Sequence, residues 1–181
     1  HFDTMRGWVD YMRAQARGDL YEREGYGDWV AVEPSPTKPI GAAYFYLSTV
    51  LLSRMAGAIG RDDEAGEYET LAARIRKAFN ERYFDPSKGT YEGGTQAGNI
   101  IPLAFGLVAD DHRDSVLRTL VRDIETHDNH LTTGFLGTGY VLPLLTAMGR
   151  HDLAWRIVTQ RTYPSWGYMI EQGATTMWEL W

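Results

Sequence analysis

Apolar positions along the chain follow two different helical patterns. From residue 64 to 79 the apolar side chains recur every three or four residues and so share one face of a helix: Tyr68, Leu71, Ala72, Ile75 and Phe79. Charged residues fill the positions between them, as expected of a helix with one buried face. The preceding segment, residues 41–60, is apolar or small on nearly all sides, which predicts a helix buried by several neighbours. We therefore expect an inner helix followed by an outer one.

The turn between these two helices recurs later in the chain. Residues 58–65 read AIGRDDEA and residues 147–154 read AMGRHDLA, with Ala, Gly, Arg, Asp and Ala in register. Gly60 and Gly149 suit the left-handed position after a helix, and the acids that follow suit the cap of the next helix. A looser copy covers residues 106–116. A repeat of inner helix, tight turn and outer helix with a period of roughly 40 residues is typical of helical arrays.

The connections that lead towards the inner helices are long and rich in Gly, Pro, Trp and Tyr. They cover residues 22–41, 83–98, 126–139 and 162–176, and a Pro-rich kink is expected at residues 33–39, within the first of them. In an array of helical hairpins these loops emerge at one end and the short Gly turns lie at the other. We therefore predict an all-α fold. The pattern is compatible with both a linear solenoid and a closed α/α toroid.

Composition narrows the class of protein. The 181 residues are 44% apolar and 23% charged, which fits one globular domain. No stretch approaches the roughly 18 apolar residues of a membrane helix, and acids near the start argue against a signal peptide. The net charge is −6 and the charged residues of both signs are interspersed, so the sequence offers no basic patch for binding nucleic acid. The absence of cysteine excludes disulfides and thiolate sites, and both a cytoplasmic and a secreted location stay open.

The strongest candidate for chemistry lies in residues 173–181, GATTMWELW, where Glu179 stands between Trp178 and Trp181. A carboxylate desolvated by indole rings can have a raised pKa, as a catalytic acid or base requires. The alternative is an exposed acid in the first turn of a helix.

The first long loop carries a second candidate, Asp28 next to Trp29. An acid beside an indole is a common way to hold a sugar, because the carboxylate accepts from hydroxyl groups and the ring stacks on the sugar face. A turn aspartate and a core tryptophan explain the same residues equally well. Trp166 and Tyr168, in the segment SWGY, carry the same two interpretations.

Two further motifs are set aside. Residues 132–139, TTGFLGTG, fit neither the spacing of a dinucleotide fingerprint nor that of a phosphate loop. His127 and His130 are three residues apart, but they lie at a hydrophilic helix end, where solvated side chains are expected instead of a metal site. We predict no metal site and no cofactor.

Several segments together resemble the catalytic domain of bacterial α-L-rhamnosidases, glycoside hydrolase family 78. They are GDW at 27–29, residues 60–85, 95–108 and 131–146, and above all YPSWGYMIEQGATTMWELW at 163–181. The resemblance runs from about residue 6 to the end of the chain. It implies an (α/α)6 toroid of six helical hairpins that hydrolyses terminal α-L-rhamnose with inversion.

The resemblance also implies roles for individual residues. Glu179 matches the glutamate that acts as general base, and Trp29 matches a tryptophan of the rhamnose pocket, with Asp28 in the same motif. We expect Trp166 and Trp178 to contact the substrate as well. In the family the general acid lies in an Arg-Asp-Glu-Arg motif upstream of GDW, and a histidine follows the base.

Neither of those two motifs occurs in this sequence. Residues 1–181 are therefore expected to be one incomplete catalytic domain that lacks N-terminal hairpins and a C-terminal end, and to be inactive alone. Two alternatives stay open: another α/α-toroid carbohydrate enzyme, such as an unsaturated-uronyl hydrolase, and a helical-repeat interaction protein.

Overall fold

The computed structural model describes residues 1–181, and most of them are helical. The helices in chain order are α1 (Phe2–Gln15), α2 (Thr37–Ala58), α3 (Asp62–Tyr83), α4 (Gln96–Phe105), α5 (Arg113–Thr126), α6 (Phe135–Ala147), α7 (His151–Val158) and α8 (Trp166–Glu171). A short 3₁₀ turn at Asp110–His112 leads into α5. The strands β1 (Phe84–Asp85) and β2 (Thr90–Tyr91) pair antiparallel.

The helices alternate between inner and outer positions, as the sequence predicts. In α3 the five predicted stripe residues are buried, together with Tyr83. Helix α2 buries residues around much of its circumference, because it packs against α1, α3 and α4. It begins at Thr37, so that Pro39 lies in its first turn, where the missing N–H of proline is tolerated. The predicted Pro-rich kink is therefore shorter than expected and ends at Pro36.

Each hairpin closes through a left-handed glycine. Gly60 and Gly149 have φ values of 75° and 74°, as predicted from the repeat, and Gly106 ends α4 in the same conformation. The prediction that the following acids cap the next helix is wrong. The N-cap residues are Arg61 and Arg150, neither of which makes a side-chain cap bond. The acids lie instead in the first turn, where they interact favourably with the helix dipole.

The long loops meet at one end of the molecule. The hydroxyls of Ser35 and Thr95, just before α2 and α4, lie 2.7 Å apart. Gln96, the first residue of α4, accepts a hydrogen bond of 3.0 Å from the backbone N–H of Thr132, which precedes α6. Because the N-termini of all three inner helices lie together, the glycine turns after them lie at the opposite end. The predicted separation of long loops and short turns is confirmed.

The strand pair in the second long loop is not predicted from the sequence. The carboxylate of Asp85 accepts from the backbone N–H groups of Ser87 and Lys88 and closes the turn. The buried amide oxygen of Asn99, in α4, accepts from the Thr90 hydroxyl and the Tyr91 N–H. These polar contacts fix a loop whose sequence has no strand-like alternation.

The core forms two adjoining clusters. A cluster of 22 buried residues is centred on α4, α5 and α6 and extends to α2, α3 and α7, and one of 9 buried residues lies between α1, α2 and α3. None of the helices is both long and apolar enough to cross a membrane.

Candidate active site

A cleft of about 300 Å³ opens at the loop end, between the start of α6 and the last five residues of the chain. Its walls are mostly aromatic, apolar or glycine: Val30, Gly134, Phe135, Thr138, Gly139, Trp166, Met169, Met177, Trp178, Glu179, Leu180 and Trp181. The volume lies at the lower end of the range for small-molecule sites.

Glu179 is the one acidic residue among those that line the cleft. Its carboxylate is exposed, and Oε1 accepts a hydrogen bond of 3.3 Å from the indole Nε1 of Trp29. Oε2 accepts no hydrogen bond from the chain, so it can accept one from a bound molecule. Because Glu179 is exposed, the interpretation of a carboxylate desolvated by indole rings is wrong. The alternative, an exposed acid in the first turn of a helix, is correct for the exposure and wrong for the helix, since residues 172–181 contain no helix.

Three tryptophans line the same cleft as this carboxylate. Trp166 and Trp181 pack edge to face with their ring centres 5.3 Å apart. The Trp181 indole N–H donates a 2.7 Å bond to the carbonyl of Thr133, and Ser165 caps α8 and so fixes the start of the helix that carries Trp166. Trp178 is 39% exposed and lines the cleft directly. Trp166 and Trp178 therefore both line the cleft, and Trp181 adds a third ring.

Asp28 differs from the sequence expectation, because it is buried and does not line the cleft. Its Oδ2 accepts from the N–H of Gly134 at 2.7 Å. Its Oδ1 accepts from Leu136 at 2.8 Å and Gly137 at 3.0 Å. Both oxygens thus bind the N-terminus of α6, where backbone N–H groups have no partner within the helix.

Trp29 is connected to the cleft by its hydrogen bond to Glu179. It does not line the cleft itself, its side chain is 48% exposed, and Tyr26 packs edge to face against it at 5.3 Å. It is therefore not the core tryptophan that the sequence allowed as an alternative.

Residues 132–139 contribute four of the cleft residues, although the sequence gives them no role. The N–H groups that could bind a phosphate are occupied by Asp28, which agrees with setting that interpretation aside. Gly134 is needed for close approach, because a Cβ at this position would lie 2.0 Å from the carbonyl oxygen of Trp29. The repeated glycines were the signal for this packing.

Other acidic and aromatic residues of the long loops, and the histidine His130, lie outside the cleft. Glu171 pairs with Arg161 on the surface, and Glu33 accepts from the Thr132 hydroxyl. His130 was expected to be solvated, but its Nε2 lies 2.8 Å from the Thr162 hydroxyl. This contact joins two loops. Tyr168 packs against Tyr163. Among residues 1–181, no cluster of three or more His, Cys, Asp or Glu is placed to hold a metal ion.

Alternating inner and outer helices, with a tryptophan-lined cleft and one carboxylate at the loop end, define an α/α-hairpin domain with a candidate ligand site. The chain belongs to the bacterial α-L-rhamnosidase six-hairpin glycosidase domain family, whose sequence profile matches residues 1–181. The resemblance seen in the sequence is confirmed at the level of the family.

Individual relatives agree with this assignment. An α-L-rhamnosidase of Streptomyces avermitilis is 44% identical over 179 residues, which cover 98% of this chain and 17% of that protein. The crystal structure of the Streptomyces avermitilis α-L-rhamnosidase complexed with L-rhamnose has a TM-score of 0.95 at 44% identity and is matched over 99% of this chain and 17% of that one. For the α-L-rhamnosidase from Dictyoglumus thermophilum the TM-score is 0.94 at 35% identity, over 100% of this chain and 21% of that one.

The chain thus spans about a fifth or less of the length of the relatives it matches.

Proposed function

We propose that this chain is part of an α-L-rhamnosidase that hydrolyses terminal α-L-rhamnose from glycosides with inversion, and that Glu179 is its general base. The observation that carries the proposal is the position of Glu179. It is the one carboxylate of a tryptophan-lined cleft, and a neighbouring indole holds one of its oxygens.

The residues around Glu179 suit this chemistry. Indole rings offer flat apolar surfaces to the C–H groups of a sugar, which supports Trp166 and Trp178 as substrate-binding residues. With Oε1 bound to Trp29, Oε2 is the atom that takes a proton from water attacking the anomeric carbon. In an inverting reaction this water attacks the face opposite the leaving group.

An inverting glycosidase needs a second carboxyl group, roughly 6.5–9.5 Å from the first, to protonate the leaving oxygen. Glu179 is the only acidic residue lining the cleft. We propose that the acid is contributed by a part of the enzyme outside residues 1–181, so that these residues form one incomplete toroidal domain. The 181-residue chain alone is then expected to give no turnover of p-nitrophenyl α-L-rhamnoside above a blank.

The experiment follows hydrolysis of p-nitrophenyl α-L-rhamnoside by a protein that carries this chain within a complete six-hairpin domain, with the first product anomer read by ¹H NMR. Release of β-L-rhamnose before mutarotation is expected. First release of the α anomer would contradict inversion. Hydrolysis of another aryl glycoside, with the rhamnoside left intact, would contradict the substrate.

A further inference from the structure

Asp28 is buried, and its carboxylate is bound to the backbone at the start of α6. It connects the first long loop to the start of α6, and the next residue of the same loop, Trp29, binds Glu179. We infer that Asp28 is a positioning residue, which fixes Trp29 so that its indole N–H orients the carboxylate of Glu179. The catalytic consequence rests on the proposed role of Glu179 as the general base, whereas the geometric consequence does not.

The first link is the contact between Asp28 and α6. Three backbone N–H groups, those of Gly134, Leu136 and Gly137, donate to the two oxygens of one carboxylate over 2.7–3.0 Å. Hydrogen bonds to an ionised acceptor are stronger than those between neutral groups, and the positive end of a helix dipole adds to the attraction. The backbone at residue 28 is therefore fixed relative to α6.

The second link carries this constraint to Trp29. The carbonyl of Trp29 accepts a 3.0 Å bond from the N–H of Phe135, so that Trp29 is attached to the same helix start as Asp28. The backbone of Gly134 lies too close to the Trp29 carbonyl for any Cβ to fit between them. The direction in which the indole leaves the backbone is set by these contacts.

The third link holds the Glu179 carboxylate through Trp29 and the segment that carries it through Trp181. Trp29 donates to Oε1 of Glu179, and Trp181, two residues after Glu179, donates to the carbonyl of Thr133. Residues 133–137 therefore hold both the loop that carries Trp29 and the segment that carries Glu179. No helix supports the backbone around Glu179, so these contacts take the place of one.

NMR of a complete six-hairpin domain that contains this chain tests the geometric part. The Trp29 indole N–H resonance is assigned by its loss in Trp29→Phe, and the shift that Glu179→Gln causes in it reports the hydrogen bond. We expect this shift in the wild-type background and its loss in the Asp28→Asn background. Asp85→Asn is the matched control, because Asp85 also accepts backbone N–H groups but lies away from the cleft. In that background the shift should be retained in full.

Two results overturn the inference: an equal shift in the Asp28→Asn background, or no shift of the Trp29 resonance in the wild type. If Asp28→Asn does not fold, Phe135→Pro tests the second link by itself, with Phe135→Ala as its control. Proline suits the first position of a helix but removes the N–H that holds the Trp29 carbonyl. The shift should shrink in Phe135→Pro and persist in Phe135→Ala, and equal shifts in the two contradict the inference.

Kinetics of the complete domain test the catalytic part. Asp28→Asn should lower kcat about 10- to 100-fold with a smaller change in KM, as expected when a catalytic group is misplaced. Glu179→Gln should cost less in that background than in the wild type. Additive losses contradict the inference. Absence of rhamnosidase activity from every variant and the wild type refutes the proposed function, and the NMR result then still decides the geometry.

Discussion

The indole N–H of Trp29 donates a hydrogen bond to the carboxylate of Glu179 over 3.3 Å, although 150 residues separate the two in the chain. The bond leaves one carboxylate oxygen directed by the protein and the other available to water. It also joins the first long loop to the segment that follows the last one. The cleft is therefore defined by contacts between loops, while the helices supply the frame that brings the loops together.

The first prediction concerns this bond. Trp29→Phe keeps an aromatic ring but removes the N–H donor, so the Glu179 carboxylate loses its fixed orientation. We expect kcat of the complete domain to fall roughly 10-fold, in line with the value of a hydrogen bond to a charged group. Trp155→Phe, on the exposed face of α7, serves as control and should leave kcat unchanged. Equal kcat for Trp29→Phe and wild type would show that the bond has no catalytic value.

A second prediction compares two glycines of the same segment. Gly134→Ala would place a Cβ 2.0 Å from the Trp29 carbonyl oxygen, whereas a Cβ at Gly139 meets nothing within 4 Å. Because backbone must move in the first case, we expect Gly134→Ala to reduce the free energy of unfolding by about 3 kcal/mol or more. Gly139→Ala should stabilise α6 by about 0.5–1 kcal/mol. Urea denaturation measures both, and similar values would refute the close approach at Gly134.

Trp181 gives a third prediction. Trp181→Phe removes the donor to the buried Thr133 carbonyl, and an unsatisfied buried acceptor costs about 1–3 kcal/mol. The free energy of unfolding should fall by that amount, as measured by urea denaturation. Trp178→Phe is the control, since Trp178 makes no side-chain hydrogen bond, and it should change stability less. A smaller loss for Trp181→Phe than for Trp178→Phe would contradict the role of this bond.

The fourth prediction concerns acid stability. The Ser87 hydroxyl holds the pKa of Asp85 below its ordinary value of 3.8, and Arg150 lowers the pKa of Asp152 in the same way. A carboxylate with a lowered pKa stabilises the fold above its unfolded pKa, and this contribution is lost as pH falls through the lower, folded value. The urea midpoint should be flat near neutral pH and fall below about pH 4. The fall should be less steep in Asp85→Asn, and an unchanged slope would contradict this assignment.

The helical frame could be predicted because it depends on local patterns. The single stripe of α3 and the near-uniform apolarity of α2 distinguish an outer from an inner helix, and Gly60 and Gly149 mark the turns. The short strand pair could not be predicted in this way, because Asn99 and Asp85 hold it through polar contacts that leave no periodic pattern.

The site could be predicted only in part. The segment around Glu179 was specific enough to predict a cleft residue, Glu179, and two of the rings that line the same cleft. The role of Asp28 was hidden, because an acid beside a tryptophan has the same sequence whether it faces a sugar or the start of a helix. Its partners are backbone N–H groups more than 100 residues away, and no side chain in the sequence indicates them.

The most direct test of the account is the kcat of Glu179→Gln in the complete domain, since glutamine keeps the size of the side chain but accepts no proton. The account predicts a fall of about 10²–10⁴-fold with a smaller change in binding, and partial recovery on addition of azide, a nucleophile that needs no deprotonation. Glu171→Gln and Glu33→Gln, outside the cleft, should keep near-wild-type kcat. Near-wild-type kcat in Glu179→Gln, with a large loss in either of the other two, would contradict it.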